Sequence, residues 1–205
     1  MIFGQSAEFS IEAYHEPSGP EYAGFGRISI EVQGVRLGDI LENHCSLFHV
    51  VDRFRELIVS IAIQWDERFT GLSDLGIFKF LDQALYLGEE SRWESYGKFN
   101  FLTNAGESFD GFKTFIVCRP DEQVQILCQS RNGVFGSMCC HMDSFVTVSE
   151  AFVRWFDEEV QITSPPYFPV HYIAARASRA DDAAFLEAIS HIPNTPVVED
   201  WDKMP

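Results

Sequence analysis

Residues 47–65 read LFHVVDRFRELIVSIAIQW, and the spacing of their apolar side chains predicts a long helix. Apolar residues recur at intervals of three and four, which places them along the one face of a helix that packs against a core. The other face carries Asp52, Arg53, Arg55 and Glu56, so it is predicted to lie in solvent. The apolar positions are Leu47, Val50, Val51, Phe54, Leu57, Ile58, Ile61, Ala62 and Trp65.

Strands are predicted on the amino-terminal side of this helix. Residues 9–14 (FSIEAY) and residues 25–32 (FGRISIEV) alternate apolar and polar side chains, which is typical of strands with one buried face. Gln33 and Gly34 offer a tight turn into residues 35–39. The second strand is therefore expected to open a hairpin.

A second β-rich region is predicted on the carboxyl-terminal side. Residues 66–98 lack clean periodicity and predict loops with one short helix near the apolar run at 78–87. Three β-rich runs follow, with a Pro-Asp turn after the first, and they predict an antiparallel meander. The runs are residues 111–118, 124–129 and 134–142.

A second long helix is predicted to begin at residues 147–150 (TVSE), whose spacing fits a capping box. A shorter helix is expected at 181–189, and an extended tail from about residue 194. These patterns together predict a single α+β domain over residues 1–205. In it, an antiparallel β-sheet packs with two long amphipathic helices and one or two shorter ones.

The composition is strongly acidic. The chain has 31 Asp and Glu against 15 Lys and Arg, for a net charge of −16. Such a field repels phosphate backbones and anionic membranes, and it steers basic partners into encounter. We therefore expect no direct binding to nucleic acid or membrane. Excess acid also keeps a chain with 19 Phe soluble, and composition alone leaves that alternative open.

The start of the chain and its cysteines point to the cytoplasm. The first five residues lack the basic flank and long apolar stretch of a signal peptide, and no later segment is long and apolar enough to span a bilayer. The five cysteines lie mostly in apolar runs, as expected of reduced thiols packed as small hydrophobic side chains. No disulfide is predicted.

The sharpest enzymatic candidate is the run Cys139-Cys140-His141, because a thiol beside an imidazole can supply a cysteine nucleophile. Neighbours on a strand point to opposite faces, so adjacency counts against a catalytic pair. The cysteines lack the Cys-x-x-Cys spacing of structural zinc sites, and the common phosphate-binding and hydrolase motifs are missing. We expect no catalytic residue, metal or cofactor. A cytoplasmic enzyme that uses Cys140 and His141 remains the alternative function.

Several motifs, mainly in the first third of the chain, resemble the immunity protein 42 family. They are MIFG at residues 1–4, FSIE at 9–12, FGRI at 25–28, Gly34, and Gly38-Asp39 ahead of the long helix, and GESFD at 106–110 extends the likeness. The resemblance implies a cytoplasmic immunity protein of a contact-dependent growth inhibition or related polymorphic toxin system. Such a protein binds the C-terminal domain of a cognate toxin and inhibits it.

The acidic charge agrees with this implication, because many toxin domains are basic nucleases and an acidic inhibitor gains association rate and selectivity against them. A non-nuclease toxin is the alternative partner. A monomer is the default oligomeric state. The family offers no shared catalytic motif and no interface residues to carry over, so the binding residues have to be argued from this chain.

Two acidic clusters and one tryptophan are the candidate binding residues. The pair at 89–90 lies in the irregular region, where binding residues tend to be displayed, and the neighbouring tryptophan is a suitable aromatic anchor. The run at 157–159 closes the second long helix, where the helix dipole disfavours negative charge. Ordinary solubilising surface is the alternative interpretation of both clusters. The predicted partner-binding residues are Glu89, Glu90, Trp93, Asp157, Glu158 and Glu159.

Overall fold

The computed structural model describes residues 1–16, 24–42, 45–87 and 92–160, all of which fall within a compact unit of residues Met1–Ser164. The described part contains two antiparallel sheets and four α-helices, so the predicted α+β class is confirmed. The helix predicted at 181–189 and the tail predicted from residue 194 lie outside the described residues.

The first sheet is built from five strands: β1 (Ile2–Gln5), β2 (Phe9–His15), β3 (Phe25–Val32), β4 (Val35–Leu37) and β5 (Cys45–Ser46). The strand order is β1-β2-β3-β4, and β5 also pairs with β3. Ile11 and its partner Ile30 are fully buried, as the alternating pattern predicts. Gln33 and Gly34 adopt positive φ angles of 51° and 77°, as this type of two-residue turn requires, which confirms the predicted hairpin.

The second sheet is the predicted meander, with strands β6 (Phe112–Cys118), β7 (Gln123–Ser130) and β8 (Phe135–His141) in that order. The side chains on its two faces belong to two different hydrophobic clusters. Ile116 and its partner Ile126 face one cluster, while Phe115 and its partner Leu127 face the other. The strands are therefore buried on both sides, which explains why their sequences read as apolar runs.

The helices are α1 (Leu47–Ser60), α2 (Asp74–Asp82), α3 (Trp93–Tyr96) and α4 (Met142–Trp155). The core-facing stripe is confirmed over α1, since Leu47, Val50, Val51, Phe54 and Leu57 are all buried. It was wrong at Ala62, which is exposed in the turn that follows the helix. The α-helix ends at Ser60, before the predicted end at residue 65, and continues as a 3₁₀ turn over Ile61–Ile63. α2 and α4 run on into π-helical turns over Gln83–Leu87 and Phe156–Val160.

The predicted start of the second long helix was wrong. α4 begins at Met142, five residues before Thr147, which is exposed within the helix, so it does not cap the helix. The reason lies in Phe145, which is fully buried and packs against Phe9 of β2 with ring centroids 5.0 Å apart. Tertiary packing of this ring recruits an extra turn into the helix and overrides the local capping pattern.

A cluster of aromatic rings joins α1 to α4. The Phe54 ring lies 5.5 Å from that of Phe152, 6.0 Å from that of Phe145 and 5.8 Å from that of Phe101, measured between centroids. These are normal separations for attractive aromatic pairs, each of which contributes about 0.5–1.5 kcal/mol beyond the burial of its area. All four side chains are almost completely buried. Phe54 therefore fixes α1 against α4 and the segment before β6.

α2 covers the other face of the second sheet. Its Phe78 ring packs on Phe115 of β6 at 5.1 Å. At the start of the helix, the Asp74 carboxylate accepts hydrogen bonds from Arg119, Gln125 and Ser137 at 2.5, 2.6 and 2.8 Å. Three donors from the sheet thus hold the first turn of α2 in place.

We predict that Phe54→Ala lowers the free energy of unfolding by about 3–5 kcal/mol, because it removes a buried ring and leaves a cavity. Val59→Ala on the same helix is the control, since that side chain is 84% exposed and its loss should change stability by less than about 0.5 kcal/mol. Urea unfolding of both variants measures the difference. Equal stability of the two variants would contradict the central role given to Phe54.

Candidate partner-binding surface

Trp93, the predicted anchor, begins α3 and is 44% exposed. Its ring meets Tyr86 edge-on at 5.8 Å and lies so close to Gly97 that a Cβ atom there would stand 2.7 Å from it. Gly97 is therefore needed for this approach, and the indole is held in one orientation with part of its surface open. A fixed, half-exposed tryptophan is the type of side chain that anchors protein interfaces.

Of the two acidic clusters, the structure describes only the run at 157–159. Glu89 and Glu90 lie outside the described residues. Asp157, Glu158 and Glu159 lie in the exposed π-helical turn after α4. Asp157 forms an ion pair with Arg55, and Glu159 accepts a hydrogen bond of 2.8 Å from the indole nitrogen of Trp155. Arg55 thus offsets the helix-dipole cost that the sequence predicts for this run.

α1 makes hydrogen bonds to the segment after Trp93 and to the acidic run. Arg53 donates to the backbone carbonyl of Lys98 at 2.5 Å, and Lys98 follows the Gly97 that supports Trp93. Arg55 reaches in the other direction, to Asp157. Successive residues of a helix are about 100° apart, so Arg53 and Arg55 leave α1 on opposite sides of the buried Phe54. Arg53 thus ties α1 to the segment that follows Trp93, and Arg55 ties it to the acidic run.

Two exposed apolar residues on α1 were missed by the sequence prediction. Val59 is 84% exposed and Ile63, in the following 3₁₀ turn, is 71% exposed. Val59 shares the outward face of α1 with Asp52 and Glu56, at spacings of four and three, and Ile63 is exposed in the turn that continues the helix. We call these four residues the α1 ridge. That spacing was visible in the sequence, but the count of apolar residues favoured the opposite, core-facing stripe.

The geometry disfavours a cysteine nucleophile. Cys140 is only 3% exposed and belongs to the main hydrophobic cluster, and burial raises the pKa of its thiol to about 12. His141 is exposed and occupies the N-cap position of α4. A buried, protonated thiol and an exposed imidazole are not arranged for base-assisted attack.

The described part of the chain offers no other obvious reaction centre. Within it, no three His, Cys, Asp or Glu side chains come together in a way that could hold a metal ion. None of the helices described there is long and apolar enough to cross a bilayer.

Comparison with known proteins identifies the family of this chain. The family model for immunity protein 42 matches residues 1–155, which include both sheets and reach the end of α4. The chain belongs to the immunity protein 42 family. The family match thus extends well beyond the first third of the chain, where most of the resembling motifs lie. Membership supports an immunity role and points to an inhibitor rather than an enzyme.

The fold of this family member is shared with a solved structure. The crystal structure of CdiI from Burkholderia dolosa AUO158 is similar with a TM-score of 0.56 and 15% sequence identity, over 75% of this chain and 99% of that chain. At this identity the likeness establishes the fold alone. No curated protein matches the sequence.

We predict that Cys140 resists alkylation in the folded protein. With a pKa of about 12, roughly one Cys140 in ten thousand carries a thiolate at pH 8, and the side chain is also shielded from reagent. Iodoacetamide at pH 8, followed by peptide mass analysis, should label Cys139 well before Cys140. Urea-unfolded protein, in which all five thiols react, is the control. Labelling of Cys140 as fast as Cys139 would reopen the nucleophile hypothesis.

Proposed function

We propose that this protein protects a bacterial cell by binding and neutralising the C-terminal domain of one cognate toxin. The toxin would belong to a contact-dependent growth inhibition or related polymorphic toxin system, and binding would take place in the cytoplasm. The observation that carries the proposal is the family match over residues 1–155. In this proposal the protein acts as a monomer, without a cofactor and without catalysing a reaction.

The charge of the chain supports a basic toxin domain, such as a nuclease. A net charge of −16 attracts a cationic partner over several ångströms and repels the nucleic acid that such a partner binds. Electrostatic steering of this kind raises association rates by about ten- to a thousand-fold at low salt. A fast inhibitor is an advantage when the toxin acts inside the same cell.

The proposed contact residues combine an anchor with an acidic rim. Trp93 supplies the rigid, half-exposed aromatic surface. The rim consists of Glu89, Glu90, Asp157, Glu158 and Glu159. Among the described rim residues, Asp157 and Glu159 are tied to Arg55 and Trp155, whereas Glu158 makes no hydrogen bond or ion pair with another described side chain. A substitution of Glu158 therefore tests the rim without breaking a hydrogen bond or ion pair to another described side chain.

Co-expression tests the function itself. Cells that produce the toxin domain encoded next to this gene should survive when this protein is made and die when it is omitted. The purified pair should also elute together in size exclusion. If the cells die equally fast in both cases and no complex survives the column, the immunity function is wrong.

We predict that Trp93→Ala increases the dissociation rate of the toxin complex by about 30-fold, the effect of losing a hot-spot side chain of about 2 kcal/mol. The increase should be the same at low and high salt, because the contact is not ionic. Trp93→Phe, which keeps an aromatic ring, should recover part of the loss. A dissociation rate unchanged by Trp93→Ala in a folded protein would remove Trp93 from the interface.

We predict that Glu158→Gln lowers the association rate about two-fold at low salt and leaves it unchanged at high salt, where steering is screened. Glu31→Gln is the control for net charge, because it makes the same charge change on the outer face of the first sheet, away from α1 and α4, where it also removes an ion pair with Arg36. Surface plasmon resonance at two salt concentrations gives both rates. Equal effects of the two variants would assign steering to the overall charge instead of the rim.

A further inference from the structure

The α1 ridge exposes apolar surface where a helix normally presents polar side chains. Val59 and Ile63 are 84% and 71% exposed, and Ile63 follows Val59 four residues later in the chain. Each side chain exposes apolar area to solvent in the free protein. Burying that area against a partner would stabilise the complex by about 25 cal/mol per Å². Adjacent exposed apolar residues rimmed by charge are typical of interaction sites.

The charged side chains beside the ridge are joined in ion pairs within the fold. Arg53 pairs with Glu56 at 3.1 Å, but the Arg53 side chain is only 15% exposed while that of Glu56 is 45% exposed. Arg55 pairs with both Asp52 and Asp157. The carboxylates of Asp52, Glu56 and the 157–159 run outnumber the two guanidinium groups by five to two, so the surface around the ridge is net negative. This arrangement is complementary to a cationic surface.

The dimensions agree with one protein interface. From Asp52 to Ile63 the ridge is about 16 Å long at 1.5 Å per residue. The helix itself is about 10 Å wide, so the ridge covers part of an interface and residues on either side of it would supply the rest. A standard interface of about 800 Å² per partner is about 30 Å in diameter.

We infer that the α1 ridge is the centre of the toxin-binding surface, and that Trp93 and the 157–159 run are its two flanks. The occupant is the basic toxin domain of the proposed function, on which this inference rests. A second copy of the chain fits less well, because two copies would bring the carboxylates of Glu56 and Asp157 against one another while each carries a net charge of −16. Val59 and Ile63 form the apolar centre, and the carboxylates form the rim.

Val59→Arg tests the inference, because it places a cation and a long side chain in the middle of the ridge. The matched control is Val134→Arg, which makes the same charge change at a valine that is 69% exposed in the turn between β7 and β8. That turn adjoins Phe112, at one end of β6. At the other end, the backbone N–H of Cys118 donates a hydrogen bond of 2.8 Å to the carbonyl of Gln64, the residue after Ile63. The strand separates the two sites by about 20 Å.

With the toxin domain encoded next to this gene as the probe, Val59→Arg should weaken binding at least ten-fold, and Ile63→Asn about five-fold. Val134→Arg should bind within about two-fold of wild type. All three variants should keep the wild-type circular dichroism spectrum and unfolding midpoint, because the substituted side chains are exposed.

The outcomes separate this inference from the proposed function. If wild-type protein binds the toxin and the two α1 variants bind equally well, the ridge is not the interface although the immunity function stands. If the free protein is a dimer that Val59→Arg dissociates, the ridge is covered by a second copy and the inference is overturned. If wild-type protein does not bind the toxin, both the function and this inference are wrong.

Discussion

The packing of Phe54 against Phe101, Phe145 and Phe152 is the contact on which the rest of the arrangement depends. It sets the rotation of α1 about its own axis, because a buried ring at one position fixes which residues point outward. Three aromatic pairs at about 0.5–1.5 kcal/mol each are a large fraction of a total stability of about 5–15 kcal/mol. The outward face of α1 is thus determined by the core on its inner face.

The ion pairs around α1 orient side chains but add little to the stability of the fold. Exposed pairs contribute about 0–1 kcal/mol each, so Arg55–Asp157 and Arg53–Glu56 add little to the free energy of folding. They do fix the two arginine side chains in place beside α1. The carboxylates of Asp52, Glu56 and the 157–159 run outnumber these two arginines, so a basic partner still meets a net negative surface.

Much of the fold could be predicted from local patterns, and the errors have identifiable physical causes. The Gln33-Gly34 hairpin and the β6-β7-β8 meander are local in sequence, so alternation and turn residues suffice to predict them. The start of α4 was wrong because Phe145 is buried by Phe9, a contact between residues far apart in the chain. The ion pair between Arg55 and Asp157 spans 102 residues and has no local signature. Trp93 could be selected by residue type, but the contacts with Tyr86 and Gly97 that hold its ring required the fold.

Hydrogen exchange of the free and toxin-bound protein tests the central claim most directly, since it reports which backbone segments the partner covers. The account predicts slower exchange on binding in peptides spanning residues 52–63 and 93–99, with little change in the turn at residues 130–135. Protection confined to the outer face of the first sheet or to the 130–135 turn, with residues 52–63 unaffected, would contradict it.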